Sequence, residues 1–307
     1  MLTILLITAP IYLLIALGFA AVRAGVFDKA AIRAMGRFVV LFCVPSLLLQ
    51  SLTQHPLGEV MAWGYLLAYL GGSLLAAVAI FLYARRVRGQ SFQHAAVWSL
   101  TGSVANSAFI GYPVVHQFVG PPAAVGLAMC MIVENLVMMP LCLALADGAG
   151  TAGGWRAALA RSLRGLVSNP LILAIVAGVA LGLLGWQLPQ VVSRVLQMLA
   201  AVASPVALFV VGGTLVGLRV GGVLRDAIEL TAFKLVLHPL AVLLFLWLLP
   251  PLAPSLHATA LVFAAMPMAT IVPVLAQRYQ QQELCAAALM LATLTSFATL
   301  TLWMVVA

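Results

Sequence analysis

The chain has 307 residues, 64% of them hydrophobic and only 7% charged, and its mean hydropathy is +1.17. Soluble domains are about 25% charged, so a water-facing surface is excluded and lipid must cover most of the outside. The formal net charge of +8 does not point to nucleic acid, because Lys and Arg sit in gaps between apolar runs, where membrane proteins keep their cytoplasmic loops.

A spanning helix needs about 20 mostly apolar residues. In chain order, spans 1 to 10 are expected near 2–22, 36–53, 61–83, 94–119, 122–146, 168–186, 190–217, 230–249, 257–277 and 283–305. Span 1 is read as a mature helix, since it lacks the basic region that opens a signal peptide. Pro121-Pro122 and Pro250-Pro251 mark turns, because proline cannot continue the preceding helix. Cys43, Cys130, Cys142 and Cys285 all fall inside apolar runs at no metal-like spacing, so neither a metal nor another cofactor is expected.

The charges orient these spans. Alternate connections hold Arg23, Lys29, Arg33 and Arg37, then Arg85, Arg86 and Arg88, then Arg156, Arg161 and Arg164, then Arg219, Arg225 and Lys234, then Arg278. Only Arg194 falls on the other side. The basic side is cytoplasmic by the positive-inside rule, which puts the protein in the inner (plasma) membrane with both termini outside. Trp63, Trp186, Trp247 and Trp303 fall at the outer ends as an interfacial belt. In the connection after span 5, Trp155, Leu159, Leu163 and Leu166 share one helical face and Arg161 and Arg164 the other. A helix lying on the membrane surface is expected there.

Pro10, Gly18, Gly25, Pro45 and Pro113 recur as Pro170, Gly178, Gly185, Pro205 and Pro273, each 160 residues on. The chain therefore reads as two five-helix repeats, residues 1–146 and 168–307, joined by a cytoplasmic loop at 147–167. Five is odd, so the second copy enters the membrane from the opposite side, as in secondary transporters.

Span 4 contains Asn106-Ser107-Ala108-Phe109-Ile110-Gly111-Tyr112-Pro113, and span 9 contains Met266-Pro267-Met268-Ala269-Thr270-Ile271-Val272-Pro273. An interior proline removes a donor and clashes with the preceding turn. Broken backbone at membrane depth survives only where protein or a polar cavity satisfies it. Two matching breaks suggest half-helices meeting near the midplane, with N-terminal ends suited to a carboxylate. Expected substrate-binding residues are Asn106, Ser107, Gly111, Pro113, Asn135, Pro267, Thr270, Pro273 and Thr295. Glu134 is the one acidic residue deep in a span, where a charge costs about 2.5–3.5 kcal/mol, so it should be protonated, paired or facing a wet cavity. Glu134 and His238 are the candidate proton-coupling groups. Thr293, Thr295 and Ser296 sit at comparable depth in span 10, and Lys234 is expected to snorkel to the cytoplasmic surface.

The stretches Asn106 to Pro113, Asn169-Pro170, Ser204 to Gly213, and Met266-Pro267 leading to Val274 to Tyr279 resemble the auxin efflux carrier family, in a short bacterial branch that includes proposed malate and malonate carriers. The resemblance covers essentially the whole chain. It implies an all-α membrane fold like that of bile-acid sodium symporters, with helices 4 and 9 broken and crossing. Spans 1, 2, 6 and 7 would form a scaffold, spans 3–5 and 8–10 a mobile transport domain, and an anion would bind beside the crossing in an elevator-type cycle. Plant members place an Asn near each crossover proline. Here Asn106 fits the first, whereas the second break offers Met266 and Thr270, and the long plant cytoplasmic loop is absent. Small carboxylates or other anions are therefore expected in place of auxin.

The expected function is a secondary transporter, an efflux carrier or exchanger, of a small organic anion, driven by protons or by membrane potential. A sodium-coupled symporter of the same fold and a non-transporting ligand sensor are the competing readings. No HExxH, no G-x-S-x-G and no pair of deep carboxylates is present, so an enzyme is not expected. Expected partners are the small organic anion and the lipid bilayer, with no nucleic acid, and a homodimer is left open.

Overall fold

The computed structural model describes residues 2–54, 62–148, 169–186, 188–218 and 222–307, with side chains from residue 9 onward except that of Gln54. The surface helix expected at 155–166 lies outside the described residues. Everything described is helix or short connection, apart from one isolated bridge.

Helix α1 (Leu2–Arg23) is followed by α2 (Lys29–Phe38), which passes through a π-turn at Val39–Cys43 into α3 (Val44–Gln54). Asp28 starts α2 by accepting the Ala31 N–H at 2.7 Å. Next come α4 (Trp63–Arg86), α5 (Phe92–Ser103), a π-turn at Ser107–Gly111 leading into α6 (Tyr112–Val119), and α7 (Pro122–Ile132). A π-turn at Val133–Met138 joins α7 to α8 (Met139–Gly148). The second half of the chain supplies α9 (Pro170–Leu183), α10 (Gln190–Leu215), α11 (Leu224–Ala232), a π-turn at Phe233–Leu237 and α12 (His238–Leu248). It closes with α13 (Pro254–Ala264), α14 (Val272–Ala276) and α15 (Gln282–Val306).

Among the described residues, six helices are long and apolar enough to cross a membrane: Lys29–Thr53, Trp63–Arg86, Pro122–Gly148, Gln190–Leu215, Leu224–Leu248 and Gln282–Val306. Three shorter apolar helices, Ala9–Arg23, Pro170–Leu183 and Pro254–Ala264, accompany them. Large apolar side chains such as Leu13, Val191, Met198 and Trp247 stand exposed, as lipid contact requires.

The ends of α1 and α9 are built alike. Gly25 (φ +77°) and Gly185 (φ +60°) adopt the left-handed conformation that only glycine takes without strain. Around them Val26 N–H reaches Ala21 O (2.9 Å) and Trp186 N–H reaches Leu181 O (3.0 Å). Both are the six-to-one bond of a Schellman cap, and every pair is 160 residues apart.

The chain packs into two units. The first gathers Met1–Trp63, Ser107–Met131 and Ser168–Gly217. Here α1 lies against α10 with their backbones in contact: a Cβ added at Gly18 would stand 2.0 Å from Phe209 O, and one at Gly212 would stand 1.8 Å from Ile15 O. The pair α9 and α3 repeats this approach, with Gly178 over Leu49 and Leu52. Leu49 and Gly178 are the 160-residue counterparts of Phe209 and Gly18. Small residues at such seams let membrane helices gain close van der Waals contact.

The second unit gathers Gly64–Asn106, Ile132–Val167 and Leu218–Ala307. On α4, Gly71 and Gly72 make room for Phe245 and Val242 of α12. The interior holds Trp98, Tyr65, Tyr69, Phe263 and, unexpectedly, Lys234, all essentially without exposure. The expected snorkelling of Lys234 is thus corrected. The π-turn that carries it rotates the side chain inward to a polar anchor.

Candidate functional site

Two interruptions meet inside the second unit. Helix α5 stops at Ser103, and Val104 turns extended (φ −111°, ψ 126°). Helix α13 stops at Ala264 because Pro267 has no N–H to give Phe263 O, which takes the Met266 N–H instead (3.2 Å). The two freed stretches pair as a short antiparallel bridge, Ala105 opposite Met268. Asn106 N–H donates to Pro267 O at 2.8 Å, and Ala269 N–H donates to Val104 O at 3.3 Å. Each break thereby satisfies part of the other's backbone, which buried backbone demands.

The prolines act differently from the sequence-based expectation. Pro267 does interrupt its helix, but Pro113 and Pro273 are not at the gaps. Pro113 stands at the second position of α6, after the π-turn, and Pro273 at the second position of α14, positions where a missing N–H does little harm. The first gap falls at Val104–Asn106, held open by pairing. The helix after the second gap, α14, has only five residues.

Glu134, on the π-turn at Val133–Met138, is 1% exposed. Its Oε1 accepts the Tyr69 hydroxyl at 2.8 Å and the Ala105 N–H at 3.3 Å. It therefore supplies an acceptor to a donor that the first break strips of its helical partner. Asn106 is 3% exposed, and its side-chain Nδ2 has no hydrogen-bond partner among the described residues. A buried donor left unmade costs about 1–3 kcal/mol, and such atoms mark places where a ligand or water completes the set.

Beside the second break, Lys234 Nζ donates to Ala264 O at 2.7 Å and lies 2.9 Å from His238 Nδ1. His238 Nε2 lies 2.9 Å from Ser73 Oγ. The Tyr69 ring meets the His238 ring edge-on at 5.9 Å. Glu134, Tyr69, Ser73, His238 and Lys234 thus form one buried cluster touching both breaks.

Of the residues singled out from sequence, Asn106, Glu134, Pro267 and His238 come together here. Asn135 is half-buried on the Glu134 π-turn, Thr270 is half-buried just beyond the second gap, and Pro273 is buried at the start of α14. Ser107, Gly111 and Pro113 are buried in the first unit. Thr295 stands apart: it is exposed, and its hydroxyl bonds back to Leu291 O at 2.7 Å. Thr293 and Ser296 are buried on the opposite side of α15 and bond to their own helix. Tyr69, Ser73 and the inward Lys234 escaped the sequence reading. The available signal was spacing, since Tyr69/Ser73 and Lys234/His238 are both i,i+4 pairs on one helical face.

A separate cavity of about 430 Å³ opens in the first unit. Gln50, Ser51, Tyr112, His116, Gln197 and Ser204 give it a polar lining, and its volume suits a small-molecule ligand. The four cysteines are buried and free. Among the described residues, no group of three or more His, Cys, Asp or Glu is placed to hold a metal ion.

The comparisons with known proteins accord with this architecture. The profile of a family described as "Membrane transport protein" matches residues 3–151 and 155–304. A protein of Rhizobium meliloti (strain 1021) named "Putative malonate transporter" is 29% identical over 294 residues, covering 95% of this chain and 92% of its own. An "Uncharacterized transporter" of Methanothermobacter thermautotrophicus is 26% identical over 302 residues, 96% of each chain. The "Uncharacterized transporter YfdV" of Escherichia coli (strain K12) is 26% identical over 241 residues, 76% of each. With the family profile matching along nearly its whole length, the chain is a multi-pass membrane protein of the membrane transport protein family, the family of the auxin efflux carriers.

Proposed function

We propose that this protein is a secondary active transporter of a small carboxylate, with a dicarboxylate such as malonate the leading candidate, binding at the paired breaks. The observation that carries the reading is the orphaned Asn106 Nδ2, buried beside the paired helix breaks, the kind of interrupted backbone at which carriers bind substrate. A neutral donor with no protein acceptor suits a carboxylate oxygen. Lys234, buried in the adjoining cluster, adds positive charge nearby. The name of the Rhizobium meliloti relative agrees with a small dianion.

The architecture belonging to this reading has ten spans in two inverted five-helix repeats, a scaffold and a mobile transport domain, and elevator-type alternating access. The repeated Schellman caps at Gly25 and Gly185 and the matched contacts Gly18–Phe209 and Gly178–Leu49 support the repeat. The Lys and Arg distribution supports cytoplasmic loops with both termini outside the inner membrane. Glu134 and His238 are the groups through which protons would couple to transport, and the protein acts as a carrier, not as an enzyme.

Reconstitution tests this. Purified protein in liposomes preloaded with unlabelled malonate is expected to accumulate radiolabelled malonate by counterflow, and excess malate or succinate to compete. Absence of counterflow for malonate and for a panel of mono- and dicarboxylates would overturn the carboxylate assignment.

A further inference from the structure

Lys234 has no place in the substrate contacts above, yet it is the one fully buried Lys or Arg among the described residues. An ammonium in that position is expensive unless it answers a specific need. The need is visible at the end of α13. In an unbroken helix Ala264 O would receive the N–H of Met268, but Met268 is drawn into the bridge with Ala105. The carbonyl end of α13 carries partial negative charge at membrane depth, and Lys234 Nζ meets it at 2.7 Å. In carriers driven by sodium, half-helix carbonyl ends and unwound backbone are what coordinate the ion.

We propose that Lys234 is a resident cation. Its ammonium occupies the carbonyl end of α13, where a coupling sodium ion would otherwise bind, and thereby makes the transport cycle independent of sodium. The surroundings fit a charged amine. With the ammonium donating, the His238 imidazole takes the tautomer in which Nδ1 accepts and Nε2–H donates to Ser73 Oγ. Glu134 is the acidic residue of the same buried cluster, linked through the Tyr69 hydroxyl and the Tyr69–His238 ring contact. The Glu134 and Lys234 side chains ride on π-turns, Val133–Met138 and Phe233–Leu237, local distortions that recur at functional positions. A tethered amine differs from a free ion in one mechanical respect: it cannot be released on either side of the membrane. It keeps one positive charge in the binding region throughout the cycle and leaves no site for an external sodium gradient to act on.

The inference rests on the transporter reading, but its test does not need the substrate. Thermal melting of the purified wild-type protein is compared in sodium and potassium chloride at equal ionic strength, alongside Lys234→Ala and Lys234→Met. Wild type is expected to melt at the same temperature in both salts. Lys234→Ala opens space at the Ala264 carbonyl and is expected to gain a sodium-specific rise of about 2–4 °C. Lys234→Met fills that space without charge and should gain none. In liposomes, Lys234→Ala is expected to lose at least about tenfold in counterflow rate without sodium, the kinetic weight of one charge-assisted hydrogen bond, and to recover part of it with sodium. A sodium-specific stabilisation of the wild type overturns the proposal even if Lys234→Ala fails to fold. So does a folded Lys234→Ala protein with no sodium response. Failure of malonate counterflow alone, with the melting pattern intact, removes the substrate assignment and leaves Lys234 as the resident cation.

Discussion

The backbone N–H of Asn106 donates to the carbonyl of Pro267 at 2.8 Å, so the interruption of one helix is held by the interruption of another. Together with the bond from Ala269 N–H to Val104 O, it explains why a membrane-embedded chain tolerates two helix ends in its interior. It also turns the Asn106 side chain into a buried donor whose Nδ2 finds no acceptor in the described residues.

Asn106→Leu separates ligand binding from folding. The backbone bond to Pro267 survives, and an unpaired buried donor disappears. The melting temperature is expected to hold or to rise by up to about 3 °C. The malonate concentration at half-maximal counterflow should rise at least about tenfold. A drop in melting temperature with unchanged transport would assign Asn106 a purely structural part.

Glu134 is expected to respond differently to two substitutions. Glu134→Ala leaves the Tyr69 hydroxyl and the Ala105 N–H without their acceptor and should destabilise by about 1–3 kcal/mol in a denaturation series. Glu134→Gln keeps an acceptor oxygen for both, so the protein should fold. With no proton to exchange, its transport rate should vary less with pH between 5 and 8 than the wild-type rate, at roughly the threshold of a twofold difference. A wild-type pH profile in Glu134→Gln removes Glu134 from proton coupling.

At the glycine seams the prediction is steric. Gly212→Ala places a methyl 1.8 Å from Ile15 O, where only backbone could yield. It should lose about 3 kcal/mol or more, or fail to accumulate in the membrane. Gly25→Ala meets nothing within 4 Å but must hold φ near +77°. It should lose only about 1–2 kcal/mol. Size-exclusion profiles and melts of the two variants give the ranking.

Tyr279 follows Arg278 in the connection before α15, and its hydroxyl donates to Asp147 at 2.7 Å. Burial, then the Asp147 hydrogen bond and charge, push its pKa above the ordinary 10. The native state therefore keeps this proton at pH values where the unfolded chain has lost it. The resulting stability is complete below pH 10 and declines as pH rises beyond it. Tyr279→Phe should lower stability by about 1 kcal/mol at neutral pH and melt with a shallower alkaline decline than wild type.

Much of this fold is legible in the sequence because its signals are dense and local. Apolar runs mark the helices, and the 160-residue recurrence of Gly25 as Gly185 locates two identical caps. The polar interruption at Asn106 and the proline at 267 locate the two gaps. Other features depend on tertiary contact and leave no local trace. Pro113 reads as a helix breaker, yet the gap opens at Val104–Asn106, because pairing with Pro267–Ala269 and the Glu134 acceptor decide where the helix ends. Lys234 lies close enough to a basic connection to suggest snorkelling, and only the position of Ala264 O shows why it turns inward. Thr295 matches Asn135 by offset, but rotation of α15 turns it outward, where it bonds to Leu291.

A structure of the protein bound to a dicarboxylate is the most direct test of the site. A carboxylate oxygen is expected within about 3 Å of Asn106 Nδ2, beside the bond from Asn106 to Pro267. A dicarboxylate bound elsewhere, with that nitrogen still unpaired, would contradict it.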